Sequence, residues 1–215
     1  MSERDRESLK NNLAQRLRGD VRLIVFTQEN ECEFCAETRQ MAQLLSSLSE
    51  KIKLEVYDFA KDSGKAKELG VDKIPAIVPI GSKDYGVRFF GIPAGYEFAS
   101  LVEAVVDVST GTTNLDEKTK QAARALSRPI HIQVFVTPTC PYCQKAVRTA
   151  HQLAVESDFI RADMVESVEF PQMVQRYAVM AVPKVVINEK TEFVGAIPEG
   201  IFVQHVMLAA RNSTA

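Results

Sequence analysis

The sequence predicts an α/β protein made of two similar units in tandem, each a central mixed β-sheet flanked by helices. Three observations predict it. Cys-x-x-Cys occurs twice, at Cys32/Cys35 and Cys140/Cys143, a step of 108 residues. A proline follows each pair 43 residues after its first cysteine, at Ile74-Pro75 and Val182-Pro183, again 108 apart. Gly91-Ile92-Pro93-Ala94-Gly95 is echoed by Ala196-Ile197-Pro198-Glu199-Gly200, with Pro93 to Pro198 a step of 105. Three motifs in one order at nearly one spacing mark a repeated unit. A chain of 215 residues can hold two cores of about 100 residues each.

The elements repeat as well. Leu9, Leu13 and Leu17 recur at helical spacing, and Val21 to Phe26 reads as a buried strand. The first Cys pair then opens a helix whose apolar face carries Met41, Leu44, Leu45 and Leu48. A strand (52–57), a short charged helix (61–69), Pro75 and a strand (76–80) follow. Gly81-Ser82-Lys83-Asp84 supplies turn residues before a strand at 85–90, and a helix at 98–108 closes the unit. Residues 109–113 form a polar linker, and Asn114-Leu115-Asp116-Glu117 resembles a capping box opening the next helix. The second unit predicts strands at 130–136, 159–164, 184–188 and 192–194, with helices near 142–156, 168–177 and 202–211. The units divide as 1–110 and 111–215. The common order implies a mixed sheet covered by helices on both faces.

Composition narrows the function classes. Net charge is −2, which gives no reason to expect nucleic acid or an anionic membrane as a partner. No apolar run approaches the ~20 residues of a membrane-spanning helix. Met1 to Asn12 is strongly charged and lacks the apolar stretch of a secretory signal, so the expected location is cytoplasmic. Four cysteines in such a compartment point to chemistry or metal binding more than to stapling. Each pair closes a loop too short to remove much unfolded-state entropy.

Disulfide exchange needs a thiolate, and a helix N-terminus favours one through its unpaired N–H groups and dipole. In each unit the first cysteine stands between a buried strand and a helix, which makes Cys32 and Cys140 the candidate nucleophiles. Cys35 and Cys143, about one turn on, can attack a mixed disulfide and release the product. Ile74-Pro75 and Val182-Pro183 precede apolar strands, where a cis bond would turn the chain beside the Cys pair. The flanking backbone would then be free to pair with an extended substrate.

Thr137-Pro138-Thr139-Cys140-Pro141-Tyr142-Cys143 resembles a glutaredoxin active site, and Val182-Pro183 resembles that superfamily's cis-proline. The double arrangement across the whole chain resembles the protein disulfide oxidoreductases, glutaredoxin-like proteins with tandem thioredoxin-like units. The resemblance implies thiol–disulfide oxidoreductase activity on protein disulfides, with Cys32, Cys35, Cys140 and Cys143 as redox residues and no cofactor beyond them. Thr137 stands where glutaredoxins commonly have a glutathione-holding Lys, and Gly195-Ala196 where they have a Gly-Gly segment. No Trp precedes either pair, as it would in thioredoxin. The expected reductant is therefore a thioredoxin-reductase-like flavoenzyme rather than glutathione.

Other readings stay open beside this one. A peptide-binding or chaperone module could use the same groove. The N-terminal half of a flavoprotein peroxiredoxin reductase is similar in its tandem folds, but lacks the Cys pair in its first unit. A single Cys₄ zinc site requires both pairs to meet in space. By resemblance, Pro141 argues against an iron–sulfur cluster shared by two chains. His131, His151 and His205 read as structural or surface residues rather than partners of a thiol.

The two sites are expected to differ. Glu29, Glu31 and Glu33 flank Cys32, whereas Lys145 and Arg148 are the nearest charges to Cys140 in sequence. Negative neighbours raise a thiol's pKa. Cys32–Cys35 is thus expected to be the more reducing pair and Cys140–Cys143 the more reactive with external disulfides.

Overall fold

The computed structural model describes residues 2–212. Each half runs helix, strand, helix, strand, helix, two strands, helix. The first half contains α1 (Glu3–Arg16), β1 (Val21–Thr27), α2 (Cys35–Ser46), β2 (Ile52–Asp58), α3 (Ser63–Glu68), β3 (Ala76–Ile80), β4 (Val87–Phe90) and α4 (Glu97–Thr110). The second contains α5 (Glu117–Arg124), β5 (Ile130–Val136), α6 (Cys143–Glu156), β6 (Ile160–Glu166), α7 (Pro171–Arg176), β7 (Lys184–Ile187), β8 (Thr191–Val194) and α8 (Glu199–Asn212). None of these helices is long and apolar enough to cross a membrane.

The sequence implies one sheet per unit, and the structure joins them into a single eight-stranded sheet in the order β2-β1-β3-β4-β6-β5-β7-β8. The seam is a parallel pairing of β4 with β6, Val87 opposite Ala162 through Phe90 opposite Val165. Both strands are buried, so each reads as a core strand in sequence whichever strand lies beside it. Over the seam α4 lies against α6. Arg148 of α6 bonds Asp107 at 2.5 Å and lies 3.3 Å from Glu103, while Arg16 of α1 bonds Glu103 at 2.5 Å. Burial pushes Asp107 up to about 6 against the pull of the Arg148 guanidinium.

Alternation along β1 and β5 splits the core between the sheet's two faces. Val21, Leu23 and Val25, with Ile132, Val134 and Val136, pack into one cluster with side chains from α1, α2, α4, α6 and α8. Ile24, Phe26 and Phe135 face the other way, toward Ala66 of α3 and Phe170 at the start of α7.

Local differences from the sequence reading have physical causes. The inner face of α2 is Cys35, Thr38, Ala42 and Leu45, while Met41 and Leu44 are half-buried and Leu48 lies past the helix. The capping box does not form: Asp116 is the N-cap of α5 without a side-chain bond, and Asn114 is hydrogen-bonded to Gln152 of α6 instead. A true capping box opens α1, where Ser2 and Asp5 bond reciprocally. The helix expected over 168–177 shortens to Pro171–Arg176, because Glu169 is drawn to the seam and Pro171 fits a first helical position. Gly111, at φ 68, ends α4 in the left-handed conformation that favours glycine.

Candidate active sites

Both Cys pairs lie at the same end of the sheet's strands. β1, β4, β6 and β5 run in one direction, as their pairings require, and each Cys pair follows the C-terminal end of its strand, β1 or β5. Three strands separate β1 from β5. At roughly 4.8 Å per strand, that places their axes about 19 Å apart. The two pairs cannot meet in one tetrahedral metal centre, nor exchange directly in this arrangement.

The local frames match closely. Cys32–Cys35 and Cys140–Cys143 are disulfides with Cα atoms 5.4 Å and 5.5 Å apart. Cys35 and Cys143 are the first residues of α2 and α6, exposed by 1% and 0%. Cys32 and Cys140 are half-buried, so one sulfur of each pair faces outward. Neither helix N-cap, Phe34 or Tyr142, supplies a side-chain bond, which leaves the helix N-termini to the sulfurs. The Gln28 N–H points at Cys35 Sγ from 3.3 Å, and Cys140 Sγ lies 3.8 Å from the Val182 carbonyl oxygen.

Ile74-Pro75 and Val182-Pro183 are both cis. Each proline is buried behind a half-buried Ile or Val. Behind each, a glycine N–H reaches the proline carbonyl at 2.8 Å, Gly91 to Pro75 and Gly195 to Pro183. The structure therefore places all eight candidate residues in two copies of one arrangement.

The surroundings differ. Glu29, Glu31, Glu33 and Asp72 are exposed around the first pair, with Lys73 beside them. Position by position, the second site has Pro141 for Glu33, Met180 for Asp72 and Ala181 for Lys73. Met180 is 92% exposed and Tyr142 71%, so the second site's rim is apolar where the first is charged.

Sequence reasoning missed three carboxylates. Glu97, in the first turn of α4, is 1% exposed, and neither carboxylate oxygen has a hydrogen-bond partner. Ser100 lies one turn on without closing a bond of normal geometry. Burial pushes Glu97 up to about 7. Its neighbour Tyr96 donates its N–H to the Pro138 carbonyl, two residues before Cys140, and α4 packs on the helix that Cys143 opens. The start of α4, and the buried Glu97 with it, thus lies against the loop that leads into the second pair. Glu166 and Glu169, from the second half, stand against Gly91 and Ile92 behind the first pair's cis-proline. In sequence Glu97 reads as an ordinary acid at a helix start, and nothing in its spacing shows that the other half covers it.

The histidines stand apart from the sulfurs. His151 is buried against the Arg88 carbonyl and the Phe89 ring, and burial pushes it down to about 3, so it is neutral. His205 packs on Phe193. His131 bonds the buried Asp163 at 2.6 Å. It lines a cavity of about 750 Å³ at the opposite end of the strands, with no sulfur in its lining.

The thioredoxin domain family model matches residues 130–208. The crystal structure of a protein disulfide oxidoreductase from Aeropyrum pernix k1 is 34% identical, covers 100% of this chain and 95% of that one, and superposes with a TM-score of 0.92. The chain belongs to the protein disulfide oxidoreductase family. Within that family it is a thioredoxin-like redox protein with two Cys-x-x-Cys motifs. It also resembles the alkylhydroperoxide reductase AhpF of Enterococcus faecalis (V583), at 27% identity and a TM-score of 0.88 over 95% of this chain and 98% of that chain. The NADH dehydrogenase of Bacillus subtilis (strain 168) is 26% identical over 178 residues, which are 83% of this chain and 32% of that protein. The chain thus spans about a third of the length of that curated relative.

Proposed function

We propose that this protein disulfide oxidoreductase reduces, forms or reshuffles protein disulfides by dithiol exchange at two sites, one in residues 1–110 and one in 111–215. The observation that carries the reading is the paired geometry. In each half one half-exposed and one buried sulfur sit at a helix start, beside the cis-proline strand.

In the reducing direction the Cys140 thiolate attacks one sulfur of the substrate disulfide. A mixed disulfide forms, and the other substrate sulfur leaves as a thiolate. The Cys143 thiol then loses its proton and attacks Cys140 Sγ. The Cys140–Cys143 bond forms, the mixed disulfide breaks, and the second substrate sulfur leaves. Two electrons have passed from the dithiol to the substrate. Cys143 is sealed from water, so its proton needs an internal acceptor, and Glu97 is a buried carboxylate without a partner on that side. Ile74-Pro75 and Val182-Pro183 offer backbone to an extended substrate segment.

The pairs must be reset by an outside dithiol or disulfide. The likeness to the alkylhydroperoxide reductase AhpF supports a flavoprotein reductase module in that role for the reducing direction.

The test is turnover of a disulfide-bonded protein with a thioredoxin-reductase-type flavoenzyme and its reduced nicotinamide. The native chain, each chain with one pair replaced by Ser, and the chain with all four replaced are compared. Turnover in both single-pair chains and none in the fourth supports the reading. Binding of unfolded substrate without turnover in any of them identifies a peptide-binding module instead.

A further inference from the structure

The two glycines behind the cis-prolines hold the same place in the two halves and have different neighbours. A Cβ on Gly195 would meet nothing within 4 Å. One on Gly91 would fall 2.5 Å from Glu166 Cβ and 2.7 Å from a Glu169 carboxylate oxygen. That oxygen accepts the Ile92 N–H at 2.6 Å. The Glu169 N–H in turn donates to Glu166 at 2.8 Å, and the other Glu166 oxygen is buried without a partner. Gly91 itself bonds the Pro75 carbonyl. The Glu169 carboxylate therefore rests on the segment that backs the first site's cis-proline, and it feels Glu33, which lies between Cys32 and Cys35 in sequence. The second half has no counterpart, because β8 is an edge strand with no further strand beside it.

We propose that Glu169, contributed by the second half, is the positioning residue through which that half sets the reactivity of the first half's Cys32–Cys35 pair. The inference rests on reading that pair as redox-active. The charged groups facing Glu169 are Glu33 from the loop before α2 and Glu166 from the end of β6. Two cations lie over the neighbouring Phe90 ring, Lys73, which pairs with Asp72, and Arg161, which pairs with Asp163. Among the described residues the charges that act on Glu169 are those of Glu166 and Glu33, both negative, so an ionised Glu169 disfavours the Cys32 thiolate. Burial, with Glu166 and Glu33 beside it, pushes Glu169 up to about 7, so its charge changes across neutral pH. The first pair's thiolate is thereby coupled to the titration of Glu169, which has no counterpart at Gly195 behind the second pair's cis-proline.

The experiment uses the full chain with Cys140 and Cys143 replaced by Ser, and measures the rate of Cys32 alkylation by iodoacetamide against pH. The expected curve is broader than that of a single titrating group. Glu169→Gln is expected to narrow it and move its midpoint down by about half a pH unit. That corresponds to a roughly threefold faster reaction below the midpoint. Glu169→Asp, which keeps the charge, should retain most of the native profile. In the mirror background, with Cys32 and Cys35 replaced by Ser, Glu169→Gln should leave the Cys140 profile in place. A single-group curve for Cys32 in the native sequence, readable even where a variant fails to fold, overturns the inference. So does an equal shift at both sites. A Cys32 that titrates as described but exchanges with no disulfide overturns the functional reading and leaves the coupling standing.

Discussion

The two Cys pairs are set in nearly the same backbone and in different company. Strand, helix start, cis-proline and backing glycine recur around both, with Cα separations of 5.4 Å and 5.5 Å. Around the first pair stand Glu29, Glu31, Glu33 and Asp72; around the second, Pro141, Tyr142 and Met180. The first site is backed by carboxylates that the second half presses onto Gly91, while Gly195 is open behind the second. The frame sets which sulfur attacks and which resolves. The surroundings set how readily the thiolate forms. A fused sheet lets each half bring a carboxylate to the frame of the other's site, Glu97 at the start of the helix that meets the Pro138 loop and Glu169 on the segment behind Pro75.

The largest effect expected breaks the comparison at its base. Cys140→Ser should reduce the second site's turnover to background, measured in a chain whose first pair is already Ser. Cys143→Ser should instead accumulate a mixed disulfide, visible by non-reducing electrophoresis. Intact turnover in Cys143→Ser would remove the resolving role from the buried sulfur.

Glu97→Gln should come next. The second site's resolving step should slow by roughly ten- to a hundredfold, the scale of general-base catalysis, with the first site unaffected. The same change has a stability signature of known sign. Burial raises Glu97 from 4.5 to about 7, so the folded state binds the proton more tightly than the unfolded one. Its contribution is fully present below pH 4.5 and is lost as pH rises through about 7. Glu97→Gln should flatten that decline, by at most a few kcal/mol, in denaturant melts at pH 5 and pH 8. An unchanged slope would place the carboxyl in water.

The smallest effect belongs to the exposed acids. Glu31→Gln with Glu33→Gln should raise the first pair's potential by less than the roughly 30 mV that one pKa unit carries, because both side chains face solvent. The shift should shrink further in 0.5 M salt, and a salt-independent shift would point to a buried interaction instead.

Much of the frame was legible in sequence. Strands at Ala76–Ile80 and Ile130–Val136 coincide with their predicted spans, because each is an apolar, β-branched run bounded by a proline. The Cys and Pro spacing marked all eight candidate residues. The seam was not legible, since a buried strand such as β4 carries no mark of whether a helix or a neighbouring strand lies beyond it. Glu97 and Glu169 were hidden for the same reason: one is buried and the other half-buried where the two halves meet. Their sequence neighbours, Phe98 and Phe170, show a core without showing whose.

The central claim is that the two sites are unequal, and the most direct measurement is the reduction potential of each pair alone. Each single-pair chain is equilibrated with a thiol–disulfide buffer at fixed pH and ionic strength, quenched with acid and alkylated. Cys32–Cys35 is expected to have a lower potential than Cys140–Cys143, with the gap narrowing in Glu169→Gln. Equal potentials, or a lower one for Cys140–Cys143, would contradict it.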